Sequence, residues 1–144
     1  MTAATLTIDA SALVKLIVRE PDSAAYQALV PEGVRLSAPA HVLAETGEVI
    51  SRKMRAGHVD EEQMVLIVGQ LETEVELISL TGLLDPAIRI ALEVGASVYD
   101  CLYVAAADRL KSQLLTADRR LVERLSGTRY AQLLIPLDSA KGPR

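Results

Sequence analysis

The chain has 144 residues, a length typical of a single domain that buries a core without disulfide bonds or a structural metal. Half of the residues are apolar and 24% are charged, as in a globular protein, and the single cysteine excludes an internal disulfide and a four-cysteine zinc site. The formal net charge of −4 gives no overall attraction to nucleic acid, and the lack of Phe and Trp, with only four Tyr, argues against aromatic stacking platforms for single strands.

Short apolar runs of β type alternate with helical patterns along the chain. In chain order the predicted elements are a strand at 5–8, helices at 12–19 and 22–30, a strand at 34–37, helices at 39–56 and 60–73, a strand at 75–80, helices at 85–95 and 97–110, a strand at 113–115, a helix at 118–125 and a strand at 131–137. This alternation predicts an α/β fold with a parallel sheet and helices on both faces. We expect one domain over residues 1–138 and a flexible C-terminal tail over residues 139–144.

Charge is distributed unevenly along the sequence. Residues 57–80 contain six acids and no Lys or Arg, whereas residues 109–129 contain six bases and two acids. Such runs usually form solvated helix faces. The alternative is a basic rim that meets nucleic-acid phosphates, because Lys and Arg neutralise the phosphate backbone whatever the base sequence.

Two aspartates follow predicted strands. Asp9 comes after TLTI and Asp118 after QLLTA, and in an open parallel sheet ligands bind outside the carboxyl ends of the strands. Each aspartate also precedes a predicted helix, so a role as helix N-cap is a sufficient structural explanation for either.

A glutamate lies beside the apolar face of the helix predicted at 39–56. At 100° per residue Glu45 falls on the shoulder of that face, whereas Glu48 lies further round toward solvent, four residues before Arg52. That spacing predicts a weak surface ion pair between Glu48 and Arg52. A carboxylate beside the core needs partners, and a metal ion is one possibility for Glu45.

The helix predicted at 97–110 carries two aspartates with different surroundings. Asp100 stands three residues after Ser97, which fits a helix capping box, and it lies at the shoulder of the apolar stripe. Asp108 points to the opposite side and is expected to be solvated. The predicted stripe consists of Tyr99, Tyr103, Ala106 and Leu110.

Acids at strand ends and on helix shoulders form a pattern typical of Mg²⁺ or Mn²⁺ sites, because these ions prefer oxygen ligands. Since Mg²⁺ keeps several waters, four carboxylates would serve one ion or two. A metal-free pocket of four acids would be self-repelling, so we expect at least one of the carboxyl groups to have a raised pKa.

Three segments, TLTIDASALVKLIVRE, APAHVLAETGEVI and SVYDCLYVAAADRLKSQLLTADRRLVERL, resemble the PIN-domain ribonucleases, specifically the VapC-like toxins of type II toxin–antitoxin modules. The third is the most specific of the three. In this resemblance the family's four acidic positions fall on Asp9, Glu45, Asp100 and Asp118. The hydroxyl positions that accompany them fall on Ser11 and Thr116.

The resemblance implies a PIN-like three-layer sandwich, with a mainly parallel five-stranded sheet and helices on both faces. It also implies an endoribonuclease that depends on Mg²⁺, or on Mn²⁺ as a substitute. Asp9 and Asp100 would bind the metal directly, Glu45 and Asp118 directly or through water, and Ser11 or Thr116 would orient a carboxylate or a water. We interpret the remaining candidate groups as structural, namely His41, His58 and Cys101.

The expected partners are RNA as substrate, a cognate antitoxin protein whose C-terminal segment blocks the acidic site, and a second copy of the chain in a homodimer. Met64–Val68 is apolar on more than one helical stripe, so this helix is either fully buried or in contact with a second chain. No apolar run approaches about 18 residues and no signal peptide is evident, so we expect a cytoplasmic protein with no membrane segment.

Two other classes of α/β protein with an essential aspartate fit the sequence less well. A haloacid-dehalogenase-type phosphatase would need a second acid two residues after Asp9, where the chain has Ser11, and a receiver domain would need a late lysine where the chain has Asp118. No glycine-rich phosphate loop is present. The alternative that remains open is a catalytically silent PIN-fold module that binds RNA or protein and keeps the acids without cleaving.

Overall fold

The computed structural model describes residues 4–136, and the predicted alternation of strands and helices is confirmed over that range. The elements in chain order are β1 (Thr5–Ile8), α1 (Ala10–Ile17), α2 (Ser23–Gln27), β2 (Arg35–Pro39), α3 (Val42–Arg55), α4 (Glu61–Glu74), β3 (Val75–Ile78), α5 (Leu84–Val94), α6 (Val98–Leu110), β4 (Gln113–Leu115), α7 (Arg119–Leu125) and a 3₁₀ turn at Ala131–Leu133. The predicted domain limit at residue 138 and the predicted tail over 139–144 lie outside the described residues.

The sheet has a topology that creates a crevice at the end of β1. Its strand order is β3-β2-β1-β4, and every pairing between these strands is parallel. The chain moves outward from β1 through β2 to β3 and then returns to the opposite side of β1 as β4, with Ile8 in register with Leu115. Such a change of direction opens a crevice outside the carboxyl ends of the two strands, where ligands bind in open α/β sheets.

The predicted α/β class and parallel sheet are confirmed. The prediction of a fifth strand is wrong, because the residues that the structure describes form a sheet of four strands. Ala131–Leu133 forms a 3₁₀ turn, and only an isolated parallel bridge between Leu114 and Leu134 remains of the expected pairing. The Ile135 amide donates one hydrogen bond to the Leu114 carbonyl at 3.1 Å. Pro136 has no amide hydrogen, so it cannot continue the ladder.

Helix α6 occupies the centre of the core. Every residue from Cys101 to Ala107 is buried, because the helix packs against β1, β2 and β4 on one side and α5 on another. The segment 101–107 is apolar on all sides of the helix, and such a segment belongs in the interior. The predicted stripe is therefore right only in its middle, since Tyr99 and Leu110 at the two ends of the helix are exposed.

Helix α4 is not fully buried. Ile67 and Leu71 face the core, whereas Val65 is 61% exposed and Leu66 is 72% exposed. The second apolar stripe predicted within Met64–Val68 is therefore open to solvent in the single chain. No described helix is by itself long and apolar enough to cross a membrane; α5 and α6 pass such a test only together, by length and composition, and are bent by 114°.

Candidate active site

The four predicted acids lie around one cavity at the carboxyl ends of β1 and β4. The cavity has a volume of about 530 Å³. Each acid comes from a different part of the chain: the end of β1, the helices α3 and α6, and the turn between β4 and α7. The polar side chains that line it are Asp9, Ser11, Glu45, Glu48, Arg52, Tyr99, Asp100, Tyr103 and Asp118.

Asp9 is the most enclosed of these carboxylates. It caps α1 by accepting a hydrogen bond from the Ala12 amide at 3.0 Å, and the Ser11 hydroxyl donates to the same oxygen at 2.6 Å. The Thr116 hydroxyl donates to the other oxygen. Burial raises the Asp9 pKa to about 6 against the opposing effect of these hydrogen bonds, and the charge of Asp118 adds to the increase. The predicted cap is thus confirmed, but the same side chain also faces the cavity.

The two predicted hydroxyl residues connect the ends of β1 and β4. The Ser11 hydroxyl oxygen accepts a hydrogen bond from the Ala117 amide at 2.9 Å and lies 3.4 Å from the Thr116 hydroxyl oxygen. The Thr116 oxygen in turn accepts from the Asp118 amide at 3.0 Å. Both hydroxyls therefore hold the Asp9 carboxylate in one orientation and fix the backbone that leads to Asp118.

Asp118 and Asp100 each stand at a helix start. The Asp118 carboxylate caps α7 by accepting from the Arg120 amide at 3.0 Å and the Leu121 amide at 3.3 Å. Asp100 lies in the first turn of α6, which Ser97 caps by accepting from the Asp100 amide at 3.1 Å. Partial burial raises the Asp100 pKa, and the charges of Asp118 and Glu45 raise it further. Asp9 and Asp100 thus both have the raised pKa expected of at least one acid in this pocket, but burial is a larger cause than the expected repulsion between carboxylates.

Glu45 is held by two residues, Tyr103 and His41, that were not among the predicted site residues. The Tyr103 hydroxyl donates to a Glu45 carboxylate oxygen at 2.5 Å, and the His41 ring packs on the Tyr103 ring with centroids 4.5 Å apart. Burial and the adjacent Glu45 raise the pKa of the Tyr103 hydroxyl, so it stays a neutral donor. The sequence signal for both is helical spacing: Tyr103 is three residues after Asp100, and His41 is four before Glu45.

His41 also fixes the start of α6. Its Nε2 donates to the Tyr99 carbonyl at 2.9 Å, because a carbonyl can only accept, and the same nitrogen is 3.6 Å from Glu45. The interpretation of His41 as structural is compatible with this contact, which ties α3 to the turn that presents Asp100.

A comparison with known families assigns this architecture. The family model for the PIN domain matches residues 6–126, which include all four acids. The chain belongs to the PIN domain family.

Individual relatives of this PIN domain agree with that assignment. The chain is 30% identical over 122 residues to Ribonuclease VapC3 of Pyrobaculum aerophilum, an alignment that covers 83% of this chain and 93% of the relative. The crystal structure of PAE2754 from Pyrobaculum aerophilum superposes with a TM-score of 0.62 at 22% identity, covering 90% of this chain and 89% of the other. A toxin–antitoxin complex from Klebsiella pneumoniae superposes with a TM-score of 0.60 at 13% identity, covering 94% of this chain and 97% of the other. These two structures show the shared fold.

The cavity of this PIN domain has the donor chemistry of a Mg²⁺ or Mn²⁺ site, although its side chains are not gathered around one point. Within residues 4–136, no three Asp, Glu, His or Cys side chains stand close enough to hold an ion together. Two of the acids are held by hydrogen bonds instead: the Asp9 carboxylate accepts from the Ser11 and Thr116 hydroxyls, and Glu45 accepts from Tyr103. Mg²⁺ takes only one or two carboxylates directly and keeps several waters, so this oxygen-rich cavity fits it.

The expected pair between Glu48 and Arg52 is wrong. Glu48 is exposed, as predicted, but its nearest cation is Arg55 at 3.9 Å, and both Glu48 and Arg52 line the acidic cavity of the PIN domain. The second α6 acid, Asp108, is exposed and outside the cavity, which confirms its expected solvation.

Proposed function

We propose that this PIN domain is an endoribonuclease and the toxin of a toxin–antitoxin pair, which hydrolyses RNA phosphodiester bonds with Mg²⁺ or Mn²⁺. The observation that carries the proposal is the convergence of four carboxylates from separate elements on one cavity at the switch point of the sheet. The similarity to a protein named as a ribonuclease, over most of both chains, supports the choice of RNA as substrate.

The proposed metal ligands are those that the resemblance to the family implies, and the supporting roles follow from the observed hydrogen bonds. Asp9 and Asp100 would bind the ion directly, and Glu45 and Asp118 directly or through water. Ser11 and Thr116 orient the Asp9 carboxylate, and Tyr103 orients Glu45. When bound, the ion supplies Lewis-acid chemistry for the attack of water on the phosphodiester. Because Asp9 must be ionised to bind it, we expect metal affinity to increase as the pH rises through about 6.

The direct test is a denaturing-gel assay of the purified protein on mixed cellular RNA in EDTA, Mg²⁺ and Mn²⁺. We expect discrete fragments with either metal and none in EDTA. Asp9→Asn is the paired control and should give none in any condition. Fragments that form equally well in EDTA would contradict the proposed metal dependence.

Divalent metal is expected to stabilise the folded protein. The ion binds the native cavity and relieves repulsion among its carboxylates, so Mg²⁺ or Mn²⁺ at 100 times its dissociation constant adds about 2.7 kcal/mol to the free energy of unfolding. Thermal unfolding during a titration with each ion measures this effect. An unchanged melting temperature over a wide range of both ions would count against a metal site.

Replacing Tyr103 by phenylalanine is expected to lower the cleavage rate by roughly 10-fold, because outer-shell partners of a metal ligand typically contribute 10- to 100-fold. The ring packing against His41 is kept, and the hydroxyl group that donates to Glu45 is removed. The stability cost should be about 1 kcal/mol. Tyr130→Phe is the matched control, since Tyr130 is also buried but contacts Arg129 instead. Equal rates for both variants would show that Tyr103 does not position Glu45.

One observation favours a second candidate, a PIN-fold module that binds RNA or protein without cleaving it. In the described part of the chain, no three potential ligands stand together as a preformed metal site. A folded protein that binds metal yet leaves all cellular RNA intact would support this candidate over the nuclease.

The proposal extends to partners and compartment. It includes a cognate antitoxin, in line with the toxin–antitoxin complex of similar fold, a homodimer, and a cytoplasmic location. The exposed apolar side chains Val65, Leu66 and Leu92 offer area for such contacts. An arginine from the antitoxin would suit the acidic cavity, because a guanidinium pairs well with carboxylates.

A further inference from the structure

Two side chains at the acidic cavity have no part in the hydrolysis proposed above. Tyr99 is 66% exposed and lines the cavity, whereas the other three tyrosines of the chain are buried. Without Phe or Trp the chain has no platform of several aromatic rings, but its one exposed tyrosine ring lies beside the acidic side chains. The first turn of α6 thus presents a ring and a carboxylate in adjacent positions, at Tyr99 and Asp100.

The Tyr99 ring is mostly exposed and makes one tilted contact, with the His41 ring. Its backbone is anchored, because His41 donates a hydrogen bond to its carbonyl at 2.9 Å. Its ring centroid is 6.4 Å from that of the His41 ring and the two rings are tilted by 42°, a contact that leaves the Tyr99 side chain 66% exposed. An aromatic side chain with a fixed backbone and an open face is suited to stacking on a flat ligand, and every nucleic-acid base has such a face.

Arg52 supplies positive charge at the same cavity. Two other basic residues of α3 form ion pairs: Lys53 with Glu20 at 3.5 Å, and Arg55 with Glu48 at 3.9 Å. Arg52 is exposed and has no ion-pair partner within residues 4–136, and it is the one Lys or Arg among the residues that line the cavity there. A guanidinium in this position matches a phosphate group, which it binds through two parallel hydrogen bonds.

The geometry points to a single-stranded RNA subsite in which a base stacks on the Tyr99 ring and Arg52 binds a backbone phosphate beside the bond that is cleaved. This inference rests on the proposed function and adds how the strand is held. The carboxylates repel phosphate, so attraction must come from other groups on the cavity wall as well as from an ion. Stacking tolerates any base, so the subsite places the strand without selecting its sequence.

The test measures RNA binding separately from cleavage. In an Asp9→Asn background with Mg²⁺, the probe is a fluorescein-labelled ten-nucleotide RNA of mixed sequence without secondary structure, followed by fluorescence anisotropy. Adding Tyr99→Ala should weaken binding about 10-fold, and Tyr99→Phe, which keeps the ring, should stay within about twofold of the parent. Adding Arg52→Gln should reduce the slope of log affinity against log salt by about 0.7.

Arg35→Gln is the matched control for charge. Arg35 begins β2, at the end of the sheet opposite to the cavity, and pairs with Glu76 at 3.1 Å, so its loss should leave the salt slope unchanged. Binding within about twofold of the parent for both Tyr99→Ala and Arg52→Gln would overturn the subsite, as would a parent that fails to bind the probe. A change of oligomeric state in Tyr99→Ala on gel filtration would overturn it too, because Tyr99 would then be an interface residue.

The two proposals fail in different ways. If the unsubstituted protein cleaves RNA but these variants bind it like the parent, only the subsite is wrong. If the unsubstituted protein cleaves no RNA in either metal, the proposed function is wrong.

Discussion

Asp9→Asn is expected to stabilise the metal-free protein above pH 6 by about 1–3 kcal/mol while it abolishes cleavage. The native structure buries the Asp9 carboxylate, which raises its pKa from 3.8 to about 6. Asparagine has the same shape and no charge to desolvate. Its oxygen can keep the bonds from Ser11 and Ala12, and its amide can donate to Thr116 after that hydroxyl rotates.

The contribution of Asp9 to the free energy of unfolding decreases as the pH rises from about 4 to about 6. Below about pH 4 Asp9 is protonated in both the folded and the unfolded chain. Between about 4 and 6 the unfolded chain ionises first, so the folded state binds more protons and the free energy of unfolding decreases as the pH rises. Above about 6 the Asp9 contribution is constant. The raised pKa of Asp100 acts in the same direction, so Asp9→Asn should remove most of this dependence and not all of it.

Urea unfolding in EDTA at several values between pH 4 and pH 8 measures both effects. Asp108→Asn is the control, since Asp108 is exposed on α6 and outside the cavity. A variant at Asp9 that is less stable than the unsubstituted protein at pH 8 would mean that the carboxylate is a net stabilising cap.

Asp100→Asn is expected to reduce the proposed cleavage by at least about 100-fold, because Asp100 is proposed as a direct ligand of an ion whose Lewis-acid effect is worth several kcal/mol. The same substitution at Asp108, two turns later on α6, should leave the rate within about twofold, since a solvated carboxylate outside the site has no part in the reaction. Both variants remove one negative charge from the same helix. They differ in position, because Asp100 lines the acidic cavity and Asp108 does not.

Initial rates on a single RNA identified from the gel assay, at saturating Mg²⁺, give the comparison. Thermal unfolding should show that both variants stay folded, because the cap of α6 is the hydrogen bond from the Asp100 backbone amide to Ser97, which the substitution leaves in place. Similar rates for the two variants would contradict the assignment of Asp100 as a metal ligand.

Local sequence patterns determined much of this protein. The alternation of apolar runs and helical periods predicted the α/β class and the four strands that form. The caps at Asp9, Asp118 and Ser97 could be predicted because a cap depends on residues within three positions of the helix start. The candidate acids could be identified for a similar reason: strand ends and helix shoulders are visible in the sequence itself.

The tertiary structure alone decided which of these groups meet. The Thr116 bond to Asp9 spans 107 residues and the Tyr103 bond to Glu45 spans 58, distances at which periodicity carries no information. It also decided that 131–133 turns instead of pairing, that Glu48 lies nearer Arg55 than Arg52, and that Tyr99 is exposed while Tyr103 is buried. Each outcome depends on strand register and on how α3 and α6 pack against the sheet, and these contacts arise only when the whole core assembles.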